Sequence, residues 1–450
     1  MNVLEDRAVH SPTLFVIMCH LGRFNPYNRG MYIAILGRQP AIGIAELEAV
    51  FGRASWLSAH SALFEASSPD IERLGGALKL GRVVFDVPSS DWRRVSMKIV
   101  DYYTKAWARY DGKITLGISA YDLSVSVRDI QKTGLILKNK LKGTSTSLRL
   151  VPNTDAALST ATSHHNKLGL SANKVELLIV RAADGRVYVA ESAGAQNITA
   201  LARRDQGRPK RDAFVGMLPP KLAQIMINLA VGEVGTTFSS DYQATATLDS
   251  QNQGVKGRRN EKVVPTSTAP IILDPFCGTG VLLQEAVLMG YAIYGTDLAD
   301  KMIDYSEQNL AWLAESHHLS IAKKLEQGDA TTHKWSHVDA VVAETYLGQP
   351  FSAPPSPPKL KEVVGNCNHI ISGFLKNLAP QLDAGTPLCL AVPAWRDKNG
   401  GFTHLPLIKD LEKLGFTRTK FESVTPDQLL YYREDQVVAR ELLVLARTGK

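Results

Sequence analysis

Three acids and a glycine-rich turn are the residues of this chain whose types and spacing can do chemistry. The run Leu273-Asp-Pro-Phe-Cys-Gly-Thr-Gly280 ends a strand-like stretch and opens into Val281-Leu-Leu-Gln-Glu-Ala286, which reads as a helix. Gly278 and Gly280 let the backbone turn tightly and approach a ligand closely, at the end of a first strand, where doubly wound sheets hold nucleotides. No lysine follows the glycines, as one would in a phosphate-binding Walker loop. Gly295-Thr-Asp297 ends the next strand-like run, where an acid is placed to accept from the hydroxyls of a ribose. Asp329, in Gln327-Gly-Asp-Ala330, ends a third run and is placed to accept from the exocyclic amine of adenine. Together these residues predict a nucleoside-containing cofactor. A dinucleotide site would carry a third glycine, which Cys277-Gly-Thr-Gly-Val-Leu-Leu283 lacks.

Such a site needs strand ends to hold it, and the pattern from residue 271 supplies them. Strand-like runs at 271–273, 292–294, 338–343 and 387–392 alternate with helical runs from Val281, from Asp300 and near 360–378. That alternation predicts an α/β, Rossmann-like domain over 271–450 with a mostly parallel sheet. Two β-type runs within 414–446 predict an antiparallel hairpin at its end. The first half mixes strands at 32–36, 113–119, 147–151, 175–180 and 186–190 with helices at 44–51, 124–142 and 154–165, an α+β pattern. Between Thr247 and Pro270 polar residues replace apolar periodicity, as in a flexible linker.

At 450 residues the chain is long enough for two or three cored units, and 44% apolar residues with 21% charged exclude global disorder. A net charge of +7 favours polyanionic partners. Cys19, Cys277, Cys367 and Cys389 form no CxxC pair, so neither a disulfide framework nor a zinc knuckle is expected, and a reducing, cytoplasmic setting fits. The apolar run Leu14–Leu21 is too short to span a bilayer and follows acids, so no membrane association is expected. His164-His165 and His317-His318 lack partners at metal-ligand spacing, and no metal is expected.

The 274–280 run Asp-Pro-Phe-Cys-Gly-Thr-Gly resembles motif I of nucleic-acid amino-methyltransferases that use S-adenosylmethionine. The resemblance implies that Asp274 lies near the methionine moiety, that Phe276, Gly278 and Gly280 line the cofactor, that Asp297 holds the ribose and that Asp329 holds the adenine. Arg204-Asp-Gln-Gly-Arg-Pro-Lys-Arg-Asp212, Gly216-Met-Leu-Pro-Pro-Lys-Leu-Ala223 and Ile227-Asn-Leu-Ala230 are similar to the connector of the THUMP-containing tRNA guanosine-10 N2-methyltransferase family. Tyr32–Gly37, Ile44–Glu48, Leu78–Arg82, Tyr432-Arg433 and Gln436–Glu441 resemble it too, so coverage runs from about residue 31 to the C-terminus. What this implies is a disordered extension over 1–30, a ferredoxin-like domain over 31–110 and a THUMP-like RNA-binding domain over 111–195. A connector and linker over 196–270 and the methyltransferase domain complete the expected order.

The resemblance also points to the acceptor site. The family's fourth motif, Asp-Pro-Pro-Tyr-Gly, corresponds here to Glu344-Thr-Tyr-Leu-Gly348, which keeps an acid, an aromatic and a glycine but neither proline. Glu344 and Tyr346 are the catalytic candidates, the acid accepting from an exocyclic base amine and the ring stacking on the base. Pro354-Pro-Ser-Pro-Pro358 is expected to form a stiff loop beside them. Lys138, Lys140, Lys142 and Arg149, and then Arg204, Arg208, Lys210 and Arg211, are the candidates for gripping RNA phosphates. The expected partner is RNA, above all tRNA, and no accessory subunit is indicated. The alternatives are another base of tRNA, rRNA or DNA as acceptor, or a non-catalytic RNA-binding protein on a methyltransferase scaffold. The intact cofactor loop speaks against the scaffold reading.

Overall fold

The structure, a computed structural model, describes residues 30–212, 218–232 and 269–449. The extension expected before residue 30, Gly216 of the connector motif and almost all of the linker at 247–270 lie outside the described residues. No helix among those described is long and apolar enough to cross a membrane.

Residues 30–40, 54–72 and 77–198 form one compact unit. Its strands are β1 (Gly30–Leu36), β2 (Ala54–Ser58), β3 (Ser61–Ala66), β4 (Ala77–Val87), β5 (Gly112–Tyr121), β6 (Thr146–Leu150), β7 (Lys174–Arg181) and β8 (Val187–Ala195). They make a single sheet in the order β2-β3-β1-β4-β8-β7-β5-β6. The segments expected as separate domains, 31–110 and 111–195, are thus joined by the antiparallel pair β4–β8, with Val83 opposite Ala190. Over this sheet lies the helix Trp92–Trp107, capped by Asp91, whose side chain accepts from the Arg93 amide. Its buried Val95, Ile99, Tyr103 and Trp107 recur every four residues, one helical face, and pack with Ile114, Leu116 and Ile118, which share one face of β5.

The second unit comprises residues 41–53, 73–76 and 199 onward. Its sheet contains β9 (Ile271–Asp274), β10 (Ala292–Asp297), β11 (Lys323–Gln327), β12 (Ala340–Glu344), β13 (Pro387–Arg396), β14 (Phe402–Thr403), β15 (Phe416–Arg418), β16 (Leu430–Tyr431) and β17 (Val438–Arg447). The order is β11-β10-β9-β12-β13-β17-β15, with β14 on β13 and β16 on β17. β11, β10, β9, β12 and β13 are parallel, while β17 is antiparallel to both β13 and β15. This is the mostly parallel sheet with an antiparallel end that the sequence predicts. The chain steps outward from β9 through β10 to β11 and then returns to β12 on the other flank of β9. A crevice therefore opens beyond the C-terminal ends of β9 and β12, the place where open α/β sheets bind ligands.

The helix Pro357–Leu378 buries Cys367, Ile371, Phe374, Leu375 and Leu378 in the core of this unit. Pro357 and Pro358 are its first residues, where a missing N–H costs nothing, so the expected proline loop over 354–358 is shorter and its last two prolines start a helix.

A buried carboxyl fastens the early segments of this unit. Glu46, fully buried in the helix Pro40–Phe51, accepts from the amides of Gly75 (2.9 Å) and Gly76 (2.8 Å) and from Asn228 Nδ2 (2.8 Å). Burial pushes its carboxyl up to about 7. Ionising it in the fold is costlier than in the unfolded chain, so its stabilising contribution is full below about 4.5 and is lost as pH rises through about 7. Wild-type protein should lose melting temperature over that window, and Glu46→Gln should flatten the curve. Thermal unfolding followed from pH 4.5 to 7.5 checks it.

Candidate functional site

β9 ends on Asp274 and β10 on Asp297, with Gly295 opposite Asp274 in the parallel ladder. Between them the chain turns through Gly278 (φ 52°) and Gly280 (φ 78°), both in the left-handed region where a Cβ is disfavoured. A Cβ on Gly280 would also lie 2.8 Å from Ser306 Oγ. The turn closes on Asp297, whose two carboxylate oxygens accept from the Gly278 amide and the Ala299 amide, each at 2.9 Å. From behind, two fully buried residues of the helix Asp300–His317 hold the turn's carbonyls. Ser306 Oγ donates to Gly278 O (2.9 Å) and Asn309 Nδ2 to Thr279 O (2.8 Å). Asn309 also brackets the backbone of Lys210, accepting from its N–H at 2.9 Å and donating to its carbonyl at 3.0 Å. Ser306 and Asn309 escaped the sequence reading, although they are polar residues three apart on the face of a helix that must turn inward.

Charge in the crevice is one-sided. Asp274 is buried and accepts from the Phe276 amide at 3.1 Å. Burial pushes its carboxyl well above the ordinary range, and the negative charges of Asp297 and Glu344 push it further. Asp297 is also raised by burial, an effect opposed by the Ala299 and Gly278 amides. The one cation bonded to these acids among the described residues is Arg440 of β17, whose Nε donates to Glu344 Oε1. Glu344 ends β12 as expected, but it does so in this ion pair rather than as a free acid. Arg440 was not anticipated; its signal is an Arg-Glu pair inside the otherwise apolar run Val438–Leu445.

Phe276 packs edge-on against Phe374, centroids 5.1 Å apart. Asp329 lies two residues beyond β11, exposed, its Oδ1 accepting from the Thr331 amide (2.8 Å) and hydroxyl (2.7 Å), which hold its carboxyl below the usual range. Tyr346 is 41% exposed, two residues past Glu344.

Lys138, Lys140, Lys142 and Arg149 are all exposed on the first unit and make no ion pair among the described residues. In the second unit Arg211 is exposed, and Lys210 Nζ lies 5.3 Å from the centre of the Tyr305 ring. Arg204 and Arg208 correct the expectation of a basic grip. Arg204 forks onto the buried Glu285, its Nε 2.7 Å from Oε1 and its Nη2 3.1 Å from Oε2. The Arg208 side chain is wholly buried, 4.0 Å from Asp205. Arg204 is thus committed to a buried carboxylate, and the Arg208 guanidinium is buried with none of its nitrogens hydrogen-bonded among the described residues.

No family model matches the chain. It is 28% identical over 196 residues to the tRNA (guanine(10)-N2)-dimethyltransferase of Methanothermobacter thermautotrophicus, covering 43% of this chain and 44% of that protein. Over 111 residues it is 30% identical to the "Probable tRNA (guanine(10)-N2)-dimethyltransferase" of Methanothermococcus thermolithotrophicus, 23% of this chain and 67% of that one. The matched segments thus span less than half of the first relative and two thirds of the second. The crystal structure of TrmN from Thermus thermophilus superposes with a TM-score of 0.45 at 15% identity, over 93% of this chain and 99% of that one, a likeness too distant to carry function. On the sequence matches, the chain belongs to the tRNA (guanine(10)-N2)-dimethyltransferase family.

Proposed function

We propose that this chain transfers a methyl group from S-adenosylmethionine to the exocyclic N2 amine of guanosine 10 in tRNA. One observation carries the reading: at a single switch point the fold places a glycine turn clasped by a ribose-type acid beside an acid that ends the neighbouring strand, in a chain whose relatives are named for that reaction. When bound, S-adenosylmethionine supplies a methyl group on a positively charged sulfur.

The residues present fit such a cofactor. The left-handed turn at Gly278 and Gly280 lets the backbone approach a ligand, Asp297 keeps lone pairs for two ribose hydroxyls, and the acids Asp274 and Asp297 suit a cation. Asp274 faces the charged end, Phe276 and Gly278 line the turn, and Asp329 takes the adenine side. Glu344 accepts an N–H of the acceptor amine, and the exposed ring of Tyr346 stacks on the base. An aromatic amine is a poor nucleophile because its lone pair is drawn into the ring. A carboxylate pulling on its N–H returns electron density to nitrogen as the methyl group arrives, and positioning supplies much of the remaining acceleration. A base inside a stem must first swing out of its stack.

Asp274 gives this reading a thermodynamic signature. Burial and the neighbouring acids raise its carboxyl, and a cationic cofactor favours the ionised form. Binding should therefore release a proton, with affinity rising with pH until Asp274 ionises unaided. S-adenosylhomocysteine, without the sulfonium charge, should show a shallower rise. Calorimetry in buffers of different ionisation enthalpy counts the protons, and a count of zero would take Asp274 out of the cofactor site.

For RNA we assign the docking role to the exposed Lys138, Lys140, Lys142 and Arg149 of the first unit. Changing the three lysines to glutamine should weaken tRNA binding and reduce the slope of log affinity against log salt by about 2–3, close to one for each phosphate no longer neutralised. An unchanged slope would place the RNA elsewhere on the protein.

The activity itself is tested by incubating purified protein with S-adenosylmethionine and tRNA from a strain lacking the gene, followed by nucleoside mass spectrometry. Methylated N2-guanosine at position 10 is expected. Tight cofactor binding with no methylated nucleoside in any RNA pool would favour the scaffold alternative.

A further inference from the structure

Arg440 is 8% exposed, yet it spends only one N–H on the protein: Nε bonds Glu344 Oε1, and its two terminal amino groups meet no acceptor among the described residues. Glu344 likewise uses Oε1 alone, leaving Oε2 without a hydrogen bond among them. The strand carrying Arg440 is held firmly. Glu441, next along β17 and so facing the other side of the sheet, is 2% exposed and bonds Arg418 Nη2 through Oε1 (3.0 Å) and His404 Nδ1 through Oε2 (2.5 Å). A fixed strand thus presents a guanidinium with spare donors beside a carboxylate with a spare acceptor, close enough to Asp274 for Glu344 to act on its charge.

We infer that Arg440 and Glu344 together read the Watson–Crick edge of the acceptor base and restrict it to guanine, an inference that rests on the activity proposed above. Guanine presents in sequence an acceptor, O6, and then two donors, N1–H and the N2 amine. A donor of Arg440 meets O6, and the carboxylate of Glu344 meets N1–H and N2–H. The other bases fail in specific ways. Adenine puts an amine against the guanidinium and a bare N1 against the carboxylate, and cytosine does the same with its N4 amine and N3. Uracil satisfies the first two positions but sets O2 against the carboxylate and has no amine to accept a methyl group. A site built to hydrogen-bond a group rejects an analogue lacking it strongly, because its own polar atoms are then left unpaired. Arg440 is in this assignment a specificity-determining residue, and its bond to Glu344 also orients the acid.

The discriminating substrate is a full-length tRNA assembled with either guanosine or 2,6-diaminopurine riboside at position 10. The analogue keeps the N2 amine but replaces O6 by an amine and N1–H by a bare nitrogen. Both RNAs compete in one reaction with full-length protein, so the product ratio gives the ratio of kcat/KM whatever fraction of enzyme is active. Wild-type protein is expected to prefer guanosine by on the order of 100-fold. Arg440→Met, which has no donor, should reduce that preference about tenfold, and Arg440→Lys, which keeps one, should retain more of it. Equal use of the two RNAs by wild-type protein, which needs no variant to fold, would overturn the assignment while leaving the activity standing. So would a preference undiminished in Arg440→Met. Failure of wild-type protein to methylate the guanosine tRNA would overturn the activity and this assignment with it.

Discussion

Glu344→Ala is expected to lower methyl transfer by on the order of 100-fold or more while S-adenosylmethionine affinity changes little. The bond from the amine to the carboxylate strengthens as positive charge develops on nitrogen, so its loss falls on the transition state and not on the cofactor complex. The Glu344–Arg440 pair complicates the readout. Both side chains are mostly buried, and truncating the acid strands the guanidinium, at a cost of about 1–3 kcal/mol in stability. Glu344→Gln keeps an acceptor oxygen for Arg440 and should fall between alanine and wild type in rate with a smaller loss of melting temperature. Initial rates on the identified tRNA are to be read beside thermal unfolding of the same preparations. Near wild-type rates in the alanine variant would dismiss the role, as would a deficit equal to the unfolded fraction.

The second large effect falls on cofactor affinity. Asp297→Ala should weaken S-adenosylmethionine binding at least tenfold, since charge-assisted hydrogen bonds to two ribose hydroxyls contribute about 1.5–3 kcal/mol each. The same carboxylate holds the Gly278 and Ala299 amides, so the alanine variant also frees the turn. Asp297→Asn separates the two contributions, because its one acceptor oxygen can still hold one amide while the charge is gone. Calorimetry on folded variants measures both, and undiminished affinity in the alanine protein would remove Asp297 from the site.

Much of the second unit is legible in the sequence because its strands are buried on both faces and read as short apolar runs. Ile271–Leu273, Val338–Ala343 and Pro387–Val392 lie within or overlap β9, β12 and β13, and the acids and glycines sit where those runs stop. The first unit is harder to read. β4, central in its sheet, carries Lys79, Gly81 and Arg82 in its middle and so breaks the apolar pattern; Lys79 is nonetheless buried against Glu176. The Trp92–Trp107 helix hides its inward face among Arg93, Arg94, Lys98 and Asp101. Long-range charge pairing is what sequence order conceals most. Nothing near Arg204 announces Glu285, and nothing near Glu344 announces Arg440, because each pair is made by topology across 81 and 96 positions.

Asn309 binds the Thr279 carbonyl of the glycine turn and both backbone groups of Lys210 with one side chain, which makes the two segments partners in a thermodynamic cycle. Whatever quiets the 199–212 stretch reduces the entropy left to lose when the turn closes on a ligand, and the converse holds equally. If RNA engages Lys210 or Arg211, reciprocity then requires that the two substrates raise each other's affinity by the same factor, a cooperativity that vanishes when the amide of Asn309 is removed.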